Sequence, residues 1–161
     1  GLGDVYKRQP IKLDITTGDE IIPGHVEYRY PLMFEEGAVR VLSYPLETVL
    51  AEKLETVVSR GIANTRGRDF YDIHTLFRLR SEENDRKSLH QAVVATATKR
   101  GTINRMAGYS AILKEVRESD IMRGIWNSYV SGSPYAAGLE FENAIDSALK
   151  LARLAGLDEL R

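Results

Sequence analysis

A lysine and two aspartates stand inside the apolar faces of two predicted helices, and this placement constrains the fold more than any other feature. Because each residue of an α-helix advances by about 100°, Lys53 falls within the apolar stripe of the first segment. Asp69 and Asp72 interrupt the apolar arc of the second segment in the same way. The stripe of the first segment consists of Leu46, Val49, Leu50, Leu54, Val57 and Val58.

Charges at such positions are almost always paired, bound to a metal or directed into a site, since an unpaired buried charge is costly. One interpretation is an interhelical salt bridge, from Lys53 to Asp69 or Asp72, that only fixes two helices. The other interpretation is a functional site. The spacing alone leaves both open, because structural ion pairs and active sites both contain buried charges.

The composition limits the class of protein. A chain of 161 residues that is 43% hydrophobic is sized for one domain, or for a small subdomain plus a helical bundle. Its net charge of −1 argues against a general DNA-coating protein, but it leaves open local basic patches such as Lys99-Arg100 or Arg78 and Arg80, and an enzyme that contacts RNA briefly. The absence of cysteine excludes a disulfide framework, a thiolate zinc site and a thiol nucleophile. Without a long apolar run or a signal-peptide pattern, we expect no membrane association and a cytoplasmic location.

The beginning of the chain has an unusual sequence. Residues 4–9, Asp-Val-Tyr-Lys-Arg-Gln, resemble the translation of a transposase adapter that is used in sequencing libraries. We therefore assign residues 1–9 to an adapter artefact and exclude them from fold reasoning. On this interpretation the gene was cut, and the chain is expected to be an N-terminally truncated fragment.

Residues 10–44 have the alternation that is typical of β-strands. Polar and apolar residues alternate over 11–16, and a second run over 26–34 is followed by a turn and a further run over 39–42. About three strands are therefore predicted.

Residues 45–161 have helical periodicity and are predicted to form a domain of five or six helices. The fold class is therefore predicted to be α+β, with the strands preceding a helical bundle. In the helix that Ser119 caps, apolar residues recur at intervals of three and four, which predicts a face buried in the core. The predicted helices are 45–60, 67–80, one from Asn84 to Lys99, one from Ser110 to Glu118, the one after Ser119 with the core residues Ile121, Met122, Ile125, Trp126 and Tyr129, and a last one from the linker and helix start at Ser131-Gly-Ser-Pro134 toward Ala155.

Three segments together carry a family resemblance. They are Lys-Leu-Asp14-Ile-Thr, the run from Ser43 through Lys53 to Leu54, and Arg68-Asp69-Phe-Tyr-Asp72-Ile. In this order they resemble the AbiEii/AbiGii toxin-type nucleotidyltransferases of the DNA polymerase beta-like superfamily. The resemblance implies that residues 10–44 are the remnant of a mixed nucleotidyltransferase sheet. It also implies transfer of a nucleotidyl group from a nucleoside triphosphate to an acceptor hydroxyl, such as one on tRNA. The resemblance further implies Mg²⁺ as the cofactor. It also implies that the protein acts in a toxin–antitoxin or abortive-infection system and has a cognate antitoxin as its partner.

The resemblance also assigns roles to residues. Asp14 matches the third acidic strand position of the superfamily, which implies a catalytic metal ligand. Lys53 matches the lysine that contacts the triphosphate. Asp69 and Asp72 match the acidic motif that follows, and which of the two is the functional acid stays open. Arg68 is implied to bind the nucleotide or to support either aspartate by pairing.

The sequence departs from the family in one respect. The first motif of the superfamily, a Gly-Ser or Gly-Gly turn followed by Asp-x-Asp, is expected before Pro10 and is not present in the sequence. Asp14 alone would not hold a catalytic Mg²⁺ in the usual way, so the fragment is expected to be inactive by itself. The alternative function is a non-catalytic helical module that binds a protein partner. A cleft lined by Lys53 and the aspartates would favour the enzyme, and a sealed ion pair would favour the module.

Overall fold

Helices make up the described part of the chain. The computed structural model describes residues 45–80 and 85–160. Single 3₁₀ turns lie at Gly61–Ala63, Pro134–Ala136 and Leu157–Glu159. The α-helices are α1 (Leu46–Arg60), α2 (Gly67–Arg80), α3 (Arg86–Arg100), α4 (Ile103–Ala107), α5 (Tyr109–Glu118), α6 (Asp120–Ser131) and α7 (Phe141–Leu154).

The α+β fold class is wrong for the described ranges, which contain seven α-helices and no strand. The strands expected in residues 10–44 lie outside these ranges. The bundle also exceeds the five or six helices that were expected, because α4 was missed. This helix has little more than one turn between Gly101 and Gly108, which is too short to establish a periodicity. The boundaries 1–9, 10–44 and 45–161 stay a prediction.

Most helix ends agree closely with the sequence patterns, but the predicted start of the last helix at Pro134 is wrong, because only a 3₁₀ turn forms there and α7 begins at Phe141. α1 and α2 begin and end within one residue of the predicted limits. The Ser119 Oγ accepts the N–H of Met122 at 3.2 Å, so the predicted cap of α6 is confirmed. At α3 the cap is Asp85 rather than the expected Asn84, and its Oδ1 accepts the N–H of Lys87 at 2.9 Å.

The first helix lies at the centre of the bundle. α1 packs against α2 and α3, and α2 packs in turn against α7. Because neighbours surround α1, its buried residues are not confined to one stripe, and Glu52, Lys53 and Glu55 are buried with the apolar side chains. The apolar residues of α1 that are fully buried are Leu50, Ala51, Leu54, Val57 and Val58.

The core face predicted for α6 is only partly correct. Met122 and Trp126 are buried, but Ile121 has 75% of its surface exposed. Ile125 and Tyr129 are intermediate in exposure. One edge of the predicted apolar face is therefore on the surface of the bundle. No helix within the described ranges has the length and apolar content needed to cross a membrane.

A buried hydrogen bond joins α2 to α7. His74 Nδ1 lies 2.7 Å from Ser147 Oγ, and Arg78 Nη1 lies 3.3 Å from His74 Nε2. Because arginine only donates, Nε2 must accept, which places the imidazole proton on Nδ1, facing Ser147. Burial, together with the charge of Arg78, lowers the pKa of His74. The ring is a neutral structural donor and is not arranged as a base for Ser147.

The beginning of α2 approaches α6 closely at Gly67. A Cβ atom added to Gly67 would lie 2.8 Å from the Cβ of Tyr129, whereas one added to Gly124 would have no atom within 4 Å. Gly67 is therefore needed for helix packing. Gly124 lies within a helix without such a requirement.

These two glycines are a matched pair for a stability test. We expect Gly67→Ala to lower the free energy of unfolding by about 1–3 kcal/mol, because α2 and α6 must separate to admit the methyl group. Gly124→Ala is expected to raise it by about 0.5–1 kcal/mol, since alanine loses less backbone entropy in a helix. Urea unfolding measures both, and equal effects of the two variants would contradict the assigned packing.

The contact between α2 and α7 can be tested in the same way. We expect Ser147→Ala to lower the free energy of unfolding by about 0.5–1.5 kcal/mol, because the buried ring of His74 loses its hydrogen bond to Ser147 and keeps the backbone of Asn143 as a partner on that side. Ser110→Ala is the control, since Ser110 is exposed on α5. If Ser147→Ala were as mild as the control in urea unfolding, the hydrogen bond would not stabilise the bundle.

Candidate functional site

The two central helices bring together three of the charged residues singled out in the sequence. Lys53 Nζ on α1 lies 3.5 Å from Asp69 Oδ1 and 3.1 Å from Asp72 Oδ2 on α2. The side chains are 4%, 2% and 1% exposed, respectively. The salt bridge that the spacing predicts is thus present, and the ammonium group is shared between both aspartates.

The local structure explains why the three residues meet. Asp69 and Asp72 are three residues apart, so they lie on the same face of α2. Asp69 is in the first turn of that helix, where the N-terminal N–H groups favour a negative charge. Lys53 interrupts the apolar stripe of α1, and packing of that stripe against α2 directs its ammonium group to the carboxylates.

Two arginines at the start of α2 surround the same carboxylates. Arg66 Nη2 lies 3.6 Å from Asp69 Oδ1, and Arg68 Nε lies 3.7 Å from Asp72 Oδ2. These separations are too long for hydrogen bonds, so the contacts are ion pairs. The side chains are 39% and 25% exposed, which places both arginines between the buried cluster and the surface.

Asp72 is the most perturbed carboxyl group of this cluster. Burial raises its pKa to about 6, although the charges of Lys53 and Arg68 oppose the shift. Its Oδ1 has no hydrogen-bond partner among the described residues, and the same is true of Asp69 Oδ2. The carboxylates are thus held mainly by charge, and a raised pKa in such a setting is typical of functional sites as well as of structural ion pairs.

The cluster borders a pocket of about 410 Å³. Lys53 and Asp69 line this pocket, whereas Asp72 does not. Its size lies within the range of small-molecule sites. Lys53 and Asp69 therefore form part of the pocket wall, whereas Asp72 contacts the ammonium group of Lys53 without lining the pocket. The other described residues that line the pocket are Glu52, Glu55, Thr56, Ser59, Arg60, Arg66 and Arg100.

Opposite charges from α1 and the end of α3 form another wall of the pocket. Arg100 Nη1 donates to Glu55 Oε1 at 2.6 Å, and Nη2 donates to Glu52 Oε1 at 3.3 Å. Thr102 Oγ1 donates to Glu55 Oε2 at 3.0 Å. Sequence reasoning noted Arg100 only as part of a local basic patch and assigned neither glutamate to a site. Glu52 and Glu55 lie close to Lys53 on α1. Three charged residues so near to each other on a helix with a broad apolar stripe were the sequence signal that could have identified the two glutamates as part of the site.

The described donor set does not fit a magnesium ion. Within residues 45–80 and 85–160, no group of three or more His, Cys, Asp or Glu side chains is placed to hold a metal. Asp69 and Asp72 already face the ammonium of Lys53, which would repel a divalent cation at the same position. We therefore derive no step through a metal. Asp14, the metal ligand implied by the resemblance, lies outside the described residues.

The pKa of Asp72 leads to a test of the cluster. Its folded-state pKa is raised from 3.8 to about 6, so between these values the native state binds a proton that the unfolded chain releases. The contribution of Asp72 to the free energy of unfolding therefore increases as the pH falls. Relative to Asp72→Asn, we expect the wild type to gain about 2 kcal/mol between pH 7 and pH 4. Urea unfolding of both proteins across this range measures the difference. Parallel pH profiles would contradict the burial of a charged Asp72.

The comparisons with known proteins bear on the same residues. One family model, described as nucleotidyl transferase AbiEii toxin of a type IV toxin–antitoxin (TA) system, matches residues 2–150. The matched range contains the whole charged cluster, and it also includes residues 2–9, which we assigned to an adapter artefact. Searches of curated proteins and of solved structures found no match.

Proposed function

The chain belongs to the AbiEii family of nucleotidyl transferase toxins of type IV toxin–antitoxin systems, and from this premise we propose that the pocket at Lys53 receives the triphosphate of a nucleotide. The single observation that carries the proposal is the placement of a buried lysine at the wall of a pocket. A lysine held in this way acts as a fixed point charge toward phosphate. The acceptor is proposed to be a hydroxyl group, such as one on tRNA.

The reaction that this site would support is nucleotidyl transfer. The acceptor hydroxyl oxygen attacks the α-phosphorus, a new P–O bond forms, and the bond from the α-phosphorus to the bridging oxygen of the β-phosphate breaks. Pyrophosphate leaves, and the hydroxyl proton passes to water. The Lys53 ammonium is proposed to stabilise the negative charge that increases on the leaving pyrophosphate, which is the electrostatic part of such catalysis.

The other charged residues support this role in different ways. Asp69 reaches the pocket together with Lys53, whereas Asp72 compensates the ammonium charge away from the pocket. We therefore propose Asp69 as the acid of the motif that faces the substrates and Asp72 as a positioning residue. Arg68 does not line this pocket, and its contact with Asp72 favours the pairing role over direct nucleotide binding.

The lining of the pocket suits a polyphosphate. Four cationic and three acidic side chains line it among the described residues. The acidic residues on α1 bind Arg100 and so orient one of these cations. Mg²⁺ and Asp14 remain part of the proposal through the family resemblance alone. A cognate antitoxin and a cytoplasmic location are proposed from the family and from the nucleotide and tRNA substrates.

A second candidate function is a non-catalytic protein-interaction module. The low exposure of Lys53 and its contact with two carboxylates favour this alternative, because a structural ion cluster has the same geometry. The two functions differ in one measurable property. Only the transferase requires Lys53 for nucleotide binding.

The test removes the lysine without leaving a second unpaired carboxylate. Lys53→Met alone would leave two buried carboxylates and is expected to unfold much of the protein, so it is combined with Asp72→Asn. The double variant is expected to bind a fluorescent nucleoside triphosphate about 10- to 100-fold more weakly than the wild type, because a charge-assisted contact to phosphate is lost.

The matched control is Asp72→Asn alone, which keeps Lys53 and Asp69 at the pocket wall. Because it keeps the ammonium group of Lys53, it is expected to bind the triphosphate about 10-fold more tightly than the double variant. Thermal unfolding establishes that all three proteins are folded. Equal triphosphate affinity of the double variant and the wild type would refute the role of Lys53 and favour the interaction module.

A further inference from the structure

A second and larger concave surface lies next to the nucleotide pocket. We call it the α2–α6 groove, and its volume is about 1020 Å³. It is bounded by the beginning of α2 and one face of α6. Arg66 lines both the groove and the 410 Å³ pocket, so the two share a wall. The described residues that line the groove are Thr65, Arg66, Gly67, Arg68, Ile121, Gly124, Ile125, Ser128 and Tyr129.

The charged residues of the α2–α6 groove have one sign. Arg66 and Arg68 line it, and no acidic side chain is among the described residues that do so. Arg68 directs its Nε toward Asp72, and the remaining N–H donors of its guanidinium group lie at a side chain that is 25% exposed. The described part of the groove is therefore suited to an anionic ligand.

The opposite wall of the groove is apolar and unusually open. Ile121, Gly124 and Ile125 lie on one face of α6, since they are three and four residues apart. Ile121 is 75% exposed, and a Cβ atom on Gly124 would have no atom within 4 Å. Glycine is unfavourable inside a helix, and no packing contact of the described fold requires it here. A flat apolar group could therefore approach the backbone of α6 at this position.

We propose that the α2–α6 groove binds the acceptor strand of the transfer reaction, a single-stranded polynucleotide. Its phosphates would contact Arg68 and Arg66, and the face of a base would cover Ile121, Gly124 and Ile125. Two observations select this occupant: the charge complementarity, and the wall shared with the nucleotide pocket, which brings the two substrates together. This inference rests on the function proposed above, and an acidic protein segment is the competing occupant.

The first experiment measures binding of a fluorescently labelled 12-nucleotide single-stranded RNA to the 161-residue chain by anisotropy. Arg68→Ala is expected to weaken binding about 10-fold and to reduce the slope of log affinity against log salt by about one. Arg117→Ala is the matched control. Arg117 has a similar exposure of 33%, pairs with Asp146 and is not among the residues that line the groove. The control is expected to bind the RNA as the wild type does.

A second variant keeps the test informative if Arg68→Ala disturbs the contact with Asp72. Gly124→Leu places a side chain in the open groove, where its Cβ atom has no atom within 4 Å. We expect RNA binding to weaken by 10-fold or more and the melting temperature not to fall. Gly124→Ala is the control and is expected to bind RNA within about 3-fold of the wild type, since its methyl group fills little of the groove.

The outcomes separate this inference from the proposed function. Gly124→Leu is expected to weaken RNA binding and to keep the triphosphate affinity of the wild type, because Gly124 lines the groove and not the nucleotide pocket. If the wild type binds triphosphate but RNA binding is absent or unaffected by Gly124→Leu, the groove is not the acceptor site, although the pocket assignment stands. If a polyglutamate peptide binds more tightly than the RNA and Gly124→Leu abolishes that binding, the occupant is an acidic protein segment and the inference is wrong.

Discussion

The contact of one buried ammonium group with two carboxylates determines how the central helices pack. Lys53, Asp69 and Asp72 are almost completely buried, so α1 and α2 must meet in a register that joins all three. A shift that separated them would leave uncompensated charges in the interior, which costs several kcal/mol, on the order of 3–5. The remaining helices then pack around this pair, with α3 on α1 and α7 on α2. The charge cluster thus orients the core as well as the pocket.

The cluster also separates the two concave surfaces on which the proposals depend. Lys53 and Asp69 face the smaller pocket, while Arg68 pairs with Asp72 and lines the α2–α6 groove. Arg66 contributes to both surfaces. Gly67 lets α2 approach α6 closely enough to form the groove, since even a methyl group there would meet Tyr129. A buried ion network and a binding site are therefore compatible in this fold, because only part of the network reaches solvent.

The limits of α1 and α2 and the cap of α6 followed from local patterns, because apolar periodicity and capping residues act within a few turns of helix. The α+β class did not hold for the described ranges, and α4 was too short for its period to be recognised. Ile121 was assigned to the core but is exposed, since periodicity identifies an apolar face without showing how much of it a neighbour covers. Glu52 and Glu55 were missed because their partner, Arg100, is distant along the chain.

By itself the sequence determined that Lys53, Asp69 and Asp72 lie on buried helical faces, and its ordered motifs indicated the AbiEii family that the family model confirms. The placement of these three residues on apolar helical faces follows from helical geometry, because the direction of a side chain around a helix depends only on its place in the chain. Only the tertiary structure decided that one lysine contacts both aspartates, that Asp69 faces the pocket while Asp72 lies behind it, and that Gly124 opens onto a groove. These features depend on how separate helices approach each other, which no local pattern specifies.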